Sequence, residues 1–169
     1  ENSGVRFDIS AGGAGKGAAD ALGGLVDIGM VSREVFPAEV EKGAFYVPSV
    51  IDAVVPTAST GNPVKEDILA KGIKRHAFID IWITGKVANW KDIFPGAKAF
   101  GKTDLHVYTR SDASGAADIW ALYIAGKKQD ALKGIGVFSD PGLMAAIQKD
   151  PLGIGYNNYS YAFDMKTGK

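Results

Sequence analysis

The sequence contains no cysteine and only two histidines among its 169 residues. A disulfide scaffold and a thiolate metal site are therefore excluded, and His76 and His106 lack the spacing of paired metal ligands. No charge of one sign prevails, because 19 Lys and Arg residues balance 19 Asp and Glu residues. This balance argues against a nucleic-acid-binding protein and against a polybasic membrane-surface protein. No apolar run reaches membrane-spanning length, and the enzyme motifs H-E-x-x-H and G-x-S-x-G do not occur.

Glycine, in contrast, is abundant, with 22 residues that cluster at 12–17, 23–24, 134–136 and 153–155. Clustered glycine marks backbone that turns tightly or comes close to another group. Hydrophobic residues make up 46% of the chain, an ordinary share for a soluble globular protein. Strand and helix patterns alternate along the chain, which predicts an α/β fold.

The predicted strands share short apolar or alternating runs bounded by turn residues. They are 5–10, 26–32, one or two strands within 45–56, 105–110, 135–139 and 153–163. The predicted helices are 18–26, 37–42, 64–73, the second part of 111–126, and 141–150. The pattern of 77–85 fits a helix or an extended segment.

Two segments, 9–20 and 108–120, share the order strand, loop of small residues, helix start. Backbone N–H groups at a helix N-terminus have no partner within the helix, and the helix dipole places partial positive charge there. Small residues let an anion approach this backbone. Two such turns in one chain predict that an anion is held from two sides.

The second of these turns adds side chains suited to an oxyanion. Arg110 offers a planar fork, Asp112 is placed to hold that guanidinium, and Ser114 has a hydroxyl to donate. A purely structural alternative stays open, in which Ser114 only caps the helix and Arg110 lies on the surface.

The first turn also allows a nucleotide-binding interpretation. Gly13, Gly15 and Ala18 fit the dinucleotide fingerprint G-x-G-x-x-[GA], with Glu34 only loosely at the acidic position. A phosphate-binding P-loop fits poorly, because Ser10 stands at its first glycine. A Rossmann-like nucleotide-dependent enzyme is therefore the alternative function.

Four stretches together resemble the phosphate-binding proteins of bacterial phosphate ABC transporters. They are AGGAGKG with VDIGMVSRE, WITGKVANWKDI, TRSDASGAA, and PGLMAAIQKDPLGIGYNNYSYA. The resemblance implies a two-lobed, type 2 periplasmic-binding-protein-like fold, with mixed sheets flanked by helices and the ligand in the cleft between the lobes. It further implies a partial-length chain whose first lobe is incomplete. The expected divisions are 1–57 for part of lobe one, 58–155 for lobe two, and 156–169 for the return crossing.

The resemblance also assigns residues to the site. The expected ligand-binding residues are Ala14, Gly15, Ser32, Arg110, Ser114, Gly115 and Ala116, supported by Gly13, Lys16 and Asp112. Ser32 stands where some members have an acidic acceptor for a phosphate proton, and Ala14 and Ala116 stand where hydroxyl residues are usual. Each lost charge-assisted hydrogen bond costs about 1.5–3 kcal/mol. The site is therefore expected to discriminate weakly against fully ionised anions such as sulfate, unless Glu34 or Lys16 compensates.

The resemblance implies an extracytoplasmic protein, which would be periplasmic in a bacterium with two membranes. The protein would bind phosphate or a related oxyanion for uptake or sensing by an ABC transporter, without catalysis, cofactor or metal. Its partners would be the transporter membrane subunits, and no nucleic acid. Three alternatives stay open for the rest of lobe one: a second chain completes it, it is missing from this sequence, or the protein is a natural short variant. A third possibility is a lobe that has lost its ligand and serves as an interaction module.

Overall fold

A four-stranded mixed sheet is the centre of the structure. A computed structural model describes residues 3–97 and 101–163 of the chain. The strand order is β1-β4-β2-β3, in which β1 runs antiparallel to β4 and the other neighbours are parallel. The strands are β1 (Val54–Ala58), β2 (His106–Arg110), β3 (Ile135–Val137) and β4 (Gly153–Asn158).

Helices connect and cover these strands. The helical elements are α1 (Ala14–Leu22), α2 (Pro37–Glu41), α3 (Lys65–Lys71), α4 (Arg75–Ile79), a π-helical turn (Asp80–Thr84), α5 (Trp90–Ile93), α6 (Gly115–Ala125), a 3-10 turn (Gln129–Ala131), α7 (Asp140–Lys149) and α8 (Tyr159–Ala162). The ambiguous segment 77–85 is thus helical. It ends at Gly85, whose φ of 72° favours glycine.

The parallel strands place helix starts at one edge of the sheet. β2 leads into α6 and β3 leads into α7, which returns to β4. The carboxyl ends of parallel strands meet at the same edge, where open α/β sheets bind ligands. The N-termini of α6 and α7 therefore both lie at this edge, beside the end of β4.

Aromatic side chains fill the core on which these helices pack. Trp82, Trp120 and Tyr156 are at most 2% exposed, and their ring centroids lie 5.3 to 6.0 Å apart. The indole of Trp82 donates to the backbone oxygen of Tyr108 at 3.0 Å, so its polar atom is satisfied. The core fixes α6 against the sheet and thereby fixes the loop before α6.

The strands predicted near the N-terminus are wrong. Residues 5–10, 26–32 and 45–53 form no strand, and only Val54–Ala58 of the third segment does. Phe7, Ile9 and Ile51 are 75%, 80% and 99% exposed. An alternating pattern forms a strand only where a neighbour completes the hydrogen-bond ladder, and no described residue does so here.

The last predicted strand is too long, because β4 ends at Asn158 and α8 follows at once. β1 and β4 pair across both predicted lobe boundaries, 57/58 and 155/156. The division into lobes remains a prediction. Among the described residues no helix combines the length and the hydropathy needed to cross a membrane.

Candidate anion-binding site

The N-terminus of α6 offers backbone donors at the carboxyl edge of the sheet. Ser114 caps this helix, with its hydroxyl oxygen accepting from the N–H of Ala117 at 3.3 Å. The N–H groups of Gly115 and Ala116 precede the first intrahelical bonds, so they have no acceptor within the helix. The capping role left open for Ser114 is observed. It still leaves the hydroxyl hydrogen to donate.

The glycine-rich turn at α1 lies directly against the loop before α6. The N–H of Gly15 donates to the carbonyl oxygen of Ala113 at 3.3 Å. Gly13 lies so close that an added methyl group would overlap the same oxygen. The two small-residue turns, about a hundred positions apart in the chain, are therefore in contact. The amide of Gly15 is used in this contact, whereas Ala14 is buried at 5% exposure.

Ser32 lies against the first residue of α6. A methyl group at Gly115 would overlap both the hydroxyl and the carbonyl oxygen of Ser32. The next residue, Arg33, forms a fork to Glu39 at 2.9 and 2.7 Å and lies 3.4 Å from the Asp118 carboxylate of α6. The hydrogen bond from Arg33 lowers the pKa of Glu39 below its ordinary value. This ion-pair group holds the segment of Ser32 on α6.

Arg110 is the buried charge of the site. Its side chain is 3% exposed, and Nε and Nη2 donate to the two oxygens of Asp112 at 2.8 and 2.6 Å. Nη1 lies 2.6 Å from an oxygen of Asp140. Asp112 also accepts from the N–H of Ser139 at 3.2 Å. The guanidinium is thus held between the starts of α6 and α7.

These contacts keep the pair ionised despite burial. Burial favours a neutral Arg110, but its hydrogen bonds and the charges of Asp112 and Asp140 outweigh burial and raise its pKa. Burial likewise favours a neutral Asp112. Hydrogen bonds from Arg110 and from the Ser139 amide outweigh that effect and lower the pKa of Asp112. A permanently charged guanidinium is therefore held at the sheet edge between two carboxylates.

The loop before α6 is further fixed by Gln129. Its side-chain oxygen accepts from the N–H of Ser114 at 2.8 Å, and its Nε2 donates to the backbone oxygen of Asp112 at 2.5 Å. The N–H of Ser114 is therefore occupied by protein. Ala116 is 1% exposed and has no hydroxyl to offer.

Two candidate compensating residues lie elsewhere. Lys16 forms an ion pair with Asp20 on the same face of α1, and its side chain is half exposed. Glu34 is exposed, and its backbone oxygen accepts from Arg33 at 2.7 Å. The structure shows no contact that brings either side chain to Arg110.

Sequence reasoning missed the residues supplied by β3 and α7. The segment 135–142 has the same order of strand, short loop and helix start as the turn from β2 into α6, with Ser139 as the cap of α7. That repeated layout is a signal for Ser139 and Asp140. Asn157 and Gln129 carry no such signal, because only folding brings them to the edge.

The described residues do not form the strand and open glycine turn that the nucleotide-binding interpretation requires. No strand precedes Gly13, and the close face of Gly13 is covered by Ala113 rather than open to a pyrophosphate. Residues 3–97 and 101–163 contain no cluster of His, Cys, Asp and Glu that would hold a metal ion.

An apolar cavity of about 420 Å³ lies away from this site, between β1, α3 and α6. Phe78, Trp120 and Tyr123 are among its lining residues, and no charged side chain lines it. Such a lining does not compensate the charge of an oxyanion. The loops around Arg110 remain the better candidate, because they carry the donors.

Comparison with known proteins agrees with the resemblance predicted from the sequence. The profile of the PBP superfamily domain matches residues 1–167. Phosphate-binding protein PstS of Bacillus subtilis is 29% identical over 167 residues, which cover 99% of this chain and 52% of the relative. Phosphate-binding protein PstS of Methanocaldococcus jannaschii is 27% identical, covering 96% of this chain and 48% of the relative. The chain spans about half the length of these curated relatives.

Solved structures show the same fold. A substrate-binding protein of the phosphate ABC transporter type from Clostridium perfringens, with bound phosphate, matches with a TM-score of 0.81 at 26% identity, over 95% of this chain and 61% of that chain. PfluDING, a high affinity periplasmic phosphate-binding protein, matches with a TM-score of 0.64 at 17% identity, over 95% of this chain and 53% of that chain, which shows the fold alone. The predicted resemblance and the predicted fold class are confirmed.

Proposed function

Because the chain belongs to the PBP superfamily, we propose that it binds phosphate or a related tetrahedral oxyanion and performs no chemistry on it. The observation that carries this proposal is the buried Arg110, held by Asp112 where the N-termini of α1 and α6 meet. Arg110, the hydroxyl of Ser114 and the amides of Ala14, Gly115 and Ala116 are the proposed donors. A fixed guanidinium and helix-start amides suit an oxyanion, which needs several convergent donors.

The proposed role is that of an extracytoplasmic solute-binding protein that delivers the anion to the membrane subunits of an ABC transporter. Two matched relatives are phosphate-binding proteins by name, and a matched structure holds phosphate. The bound anion would lie in the cleft between two lobes, of which the sheet described here is the core of one.

Thermal unfolding in the presence of anions tests the proposal. At a phosphate concentration of 100 Kd, mass action stabilises the folded state by about 2.7 kcal/mol, which corresponds to a Tm increase of roughly 5–10 °C for a chain of this size. Potassium chloride at equal ionic strength is the control and is expected to leave Tm unchanged. A comparable increase with NAD would instead support the nucleotide-binding enzyme, and no increase with any ligand would support an interaction module.

We also propose that a second polypeptide chain covers the apolar segments of the N-terminal third and completes lobe one. Their exposed side chains are Val5, Phe7, Ile9, Leu25, Ile28, Met30, Phe45, Val47, Val50 and Ile51. An apolar surface of this extent favours association with another polypeptide. The length of the curated relatives agrees with a lobe that needs further residues.

Substitution on this surface tests the partner proposal. The triple variant Phe7→Ser, Ile9→Ser, Ile51→Ser is expected to reduce binding of a hydrophobic dye and self-association in sedimentation. The sheet should remain folded, because none of these side chains is buried. Leu69→Ser, exposed on α3, is the control. Unchanged dye binding and association in the triple variant would contradict the proposal.

A further inference from the structure

The apolar cavity between β1, α3 and α6 lies on the same face of the sheet as the aromatic core. Paired residues of antiparallel strands project to the same face, so Pro56 of β1 shares the face of Tyr156. Ala58 likewise shares the face of Ile154. Trp120 of α6 stacks on Tyr156, which is fully buried, whereas Pro56 is exposed. The helical layer therefore leaves the part of this face over β1 open, and the small side chains of β1 leave room there for a ligand.

The cavity has the size and the lining of a small-molecule site. Its volume of about 420 Å³ falls within the range of roughly 300–1,000 Å³ that is typical of such sites. Apolar side chains form most of its walls, and they include Val54, Ile68, Ile73, Phe78, Trp120 and Ile154. Each CH₂ group of a ligand that is buried against such walls strengthens binding about fourfold. The lining therefore suits an aliphatic chain.

The open edge of β1 favours a small molecule over a peptide strand as the occupant. Among the residues that the structure describes, β1 pairs only with β4. Pro56 stands at the centre of this edge strand and has no N–H to donate. Proline in an edge strand turns the missing donor away from the sheet and so opposes the addition of a further strand. A ligand that needs only apolar contact is not affected by this missing donor.

A positive charge lies at the mouth of the cavity. Tyr123 lines the cavity and is 55% exposed, and the guanidinium carbon of Arg75 lies 5.1 Å from the centre of its ring. No carboxylate of the described residues forms an ion pair with Arg75. Its planar fork is therefore available to a carboxylate from outside the chain. Because the walls carry no charged side chain, a ligand carboxylate finds its counter-charge at this mouth.

From the apolar walls and the arginine at the mouth, we infer that this cavity is a second binding site, for a small carboxylate with an aliphatic tail. The tail lies over Ala58 and against Trp120, and the carboxylate accepts from the guanidinium of Arg75. The site is separate from the loops around Arg110 and does not depend on the proposed function.

Isothermal titration calorimetry with octanoate tests the inference. We expect one octanoate to bind per chain with a Kd below about 1 mM, and butanoate to bind at least about tenfold more weakly, because fewer CH₂ groups are buried. The neutral 1-octanol should bind about two- to fivefold more weakly than octanoate, which is the contribution of an exposed ion pair. Octylammonium, with the opposite charge, should bind more weakly still.

Two variants test the tail and the carboxylate separately. Arg75→Gln should lower the affinity for octanoate to that for 1-octanol and leave the affinity for 1-octanol unchanged. Lys91→Gln, which removes an exposed positive charge on α5, is the matched control and should change neither affinity. Ala58→Leu should weaken the binding of both ligands at least about tenfold, because the larger side chain occupies the place of the tail.

Absence of octanoate binding, or equal octanoate affinity of the wild type and Ala58→Leu, would overturn the inference. An unchanged preference for octanoate over 1-octanol in Arg75→Gln would overturn the role of the arginine and with it the carboxylate. Association with phosphatidylglycerol vesicles in place of octanoate binding would overturn the inference in favour of a membrane surface. Should Ala58→Leu not fold, the ligand series with the wild type and Arg75→Gln decides. Phosphate binding is tested by thermal unfolding, so either site can fail without the other.

Discussion

Arg110→Ala is expected to abolish the phosphate-induced increase in Tm and to lower the free energy of unfolding by about 3–5 kcal/mol. The loss of stability follows because Asp112 and Asp140 would remain at the sheet edge without their cation. The loss of binding follows because the remaining carboxylates repel an anion. Urea unfolding gives the first quantity, and calorimetric titration of the still-folded fraction gives the second.

Arg110→Lys separates binding from stability. Lysine keeps the positive charge but lacks the planar fork that contacts both oxygens of Asp112. We expect it to lose less stability than Arg110→Ala while still weakening phosphate binding strongly. Arg75→Ala, an exposed arginine on α4, is the control and should retain the phosphate response. If phosphate raised the Tm of both Arg110 variants as much as that of the wild type, the proposed site would be refuted.

Gly115→Ala is expected to have the second largest effect. The added methyl group would overlap the backbone and hydroxyl oxygens of Ser32, so one of the two segments must move. Forced overpacking of this kind costs about 1–3 kcal/mol of stability. Phosphate binding should weaken as well, because the displaced N–H of Gly115 is one of the proposed donors.

Gly96→Ala is the matched control for this change. Gly96 lies in an exposed turn, and a methyl group there meets no atom within 4 Å. It should leave both the urea midpoint and the phosphate response close to those of the wild type. An equal effect of the two substitutions would show that the contact between Ser32 and α6 does not matter to the site.

Local patterns predicted the second half of the chain well. The order β2, α6, β3, α7, β4 follows from apolar strands, small-residue turns and capped helices, all of which depend on neighbours in sequence. The predicted N-terminal strands are wrong for the complementary reason. The alternating apolar and polar residues of 5–10 favour an environment with one apolar and one polar side. A strand also requires hydrogen-bond partners, which no described residue provides here.

The candidate site likewise consists of residues that the sequence predicts and residues that only the fold brings together. Arg110, Asp112 and Ser114 lie within five positions, and their residue types alone point to an anion. Asp140 and Gln129 reach the same place only because parallel strands end at a common edge and each is followed by its own helix start. A local sequence pattern therefore does not predict that Asp140 and Gln129 lie at this edge.

By itself, then, the sequence determined the α/β class, the turn from β2 into α6 and the arginine suited to an oxyanion, since backbone propensity and side-chain chemistry act locally. The tertiary structure alone decided that Gly15 contacts Ala113, that Ser32 rests on α6, and that Arg110 faces a second carboxylate. These contacts join residues between 30 and about 100 positions apart. They arise from packing around one buried core, where burial and hydrogen bonding of distant groups are satisfied together.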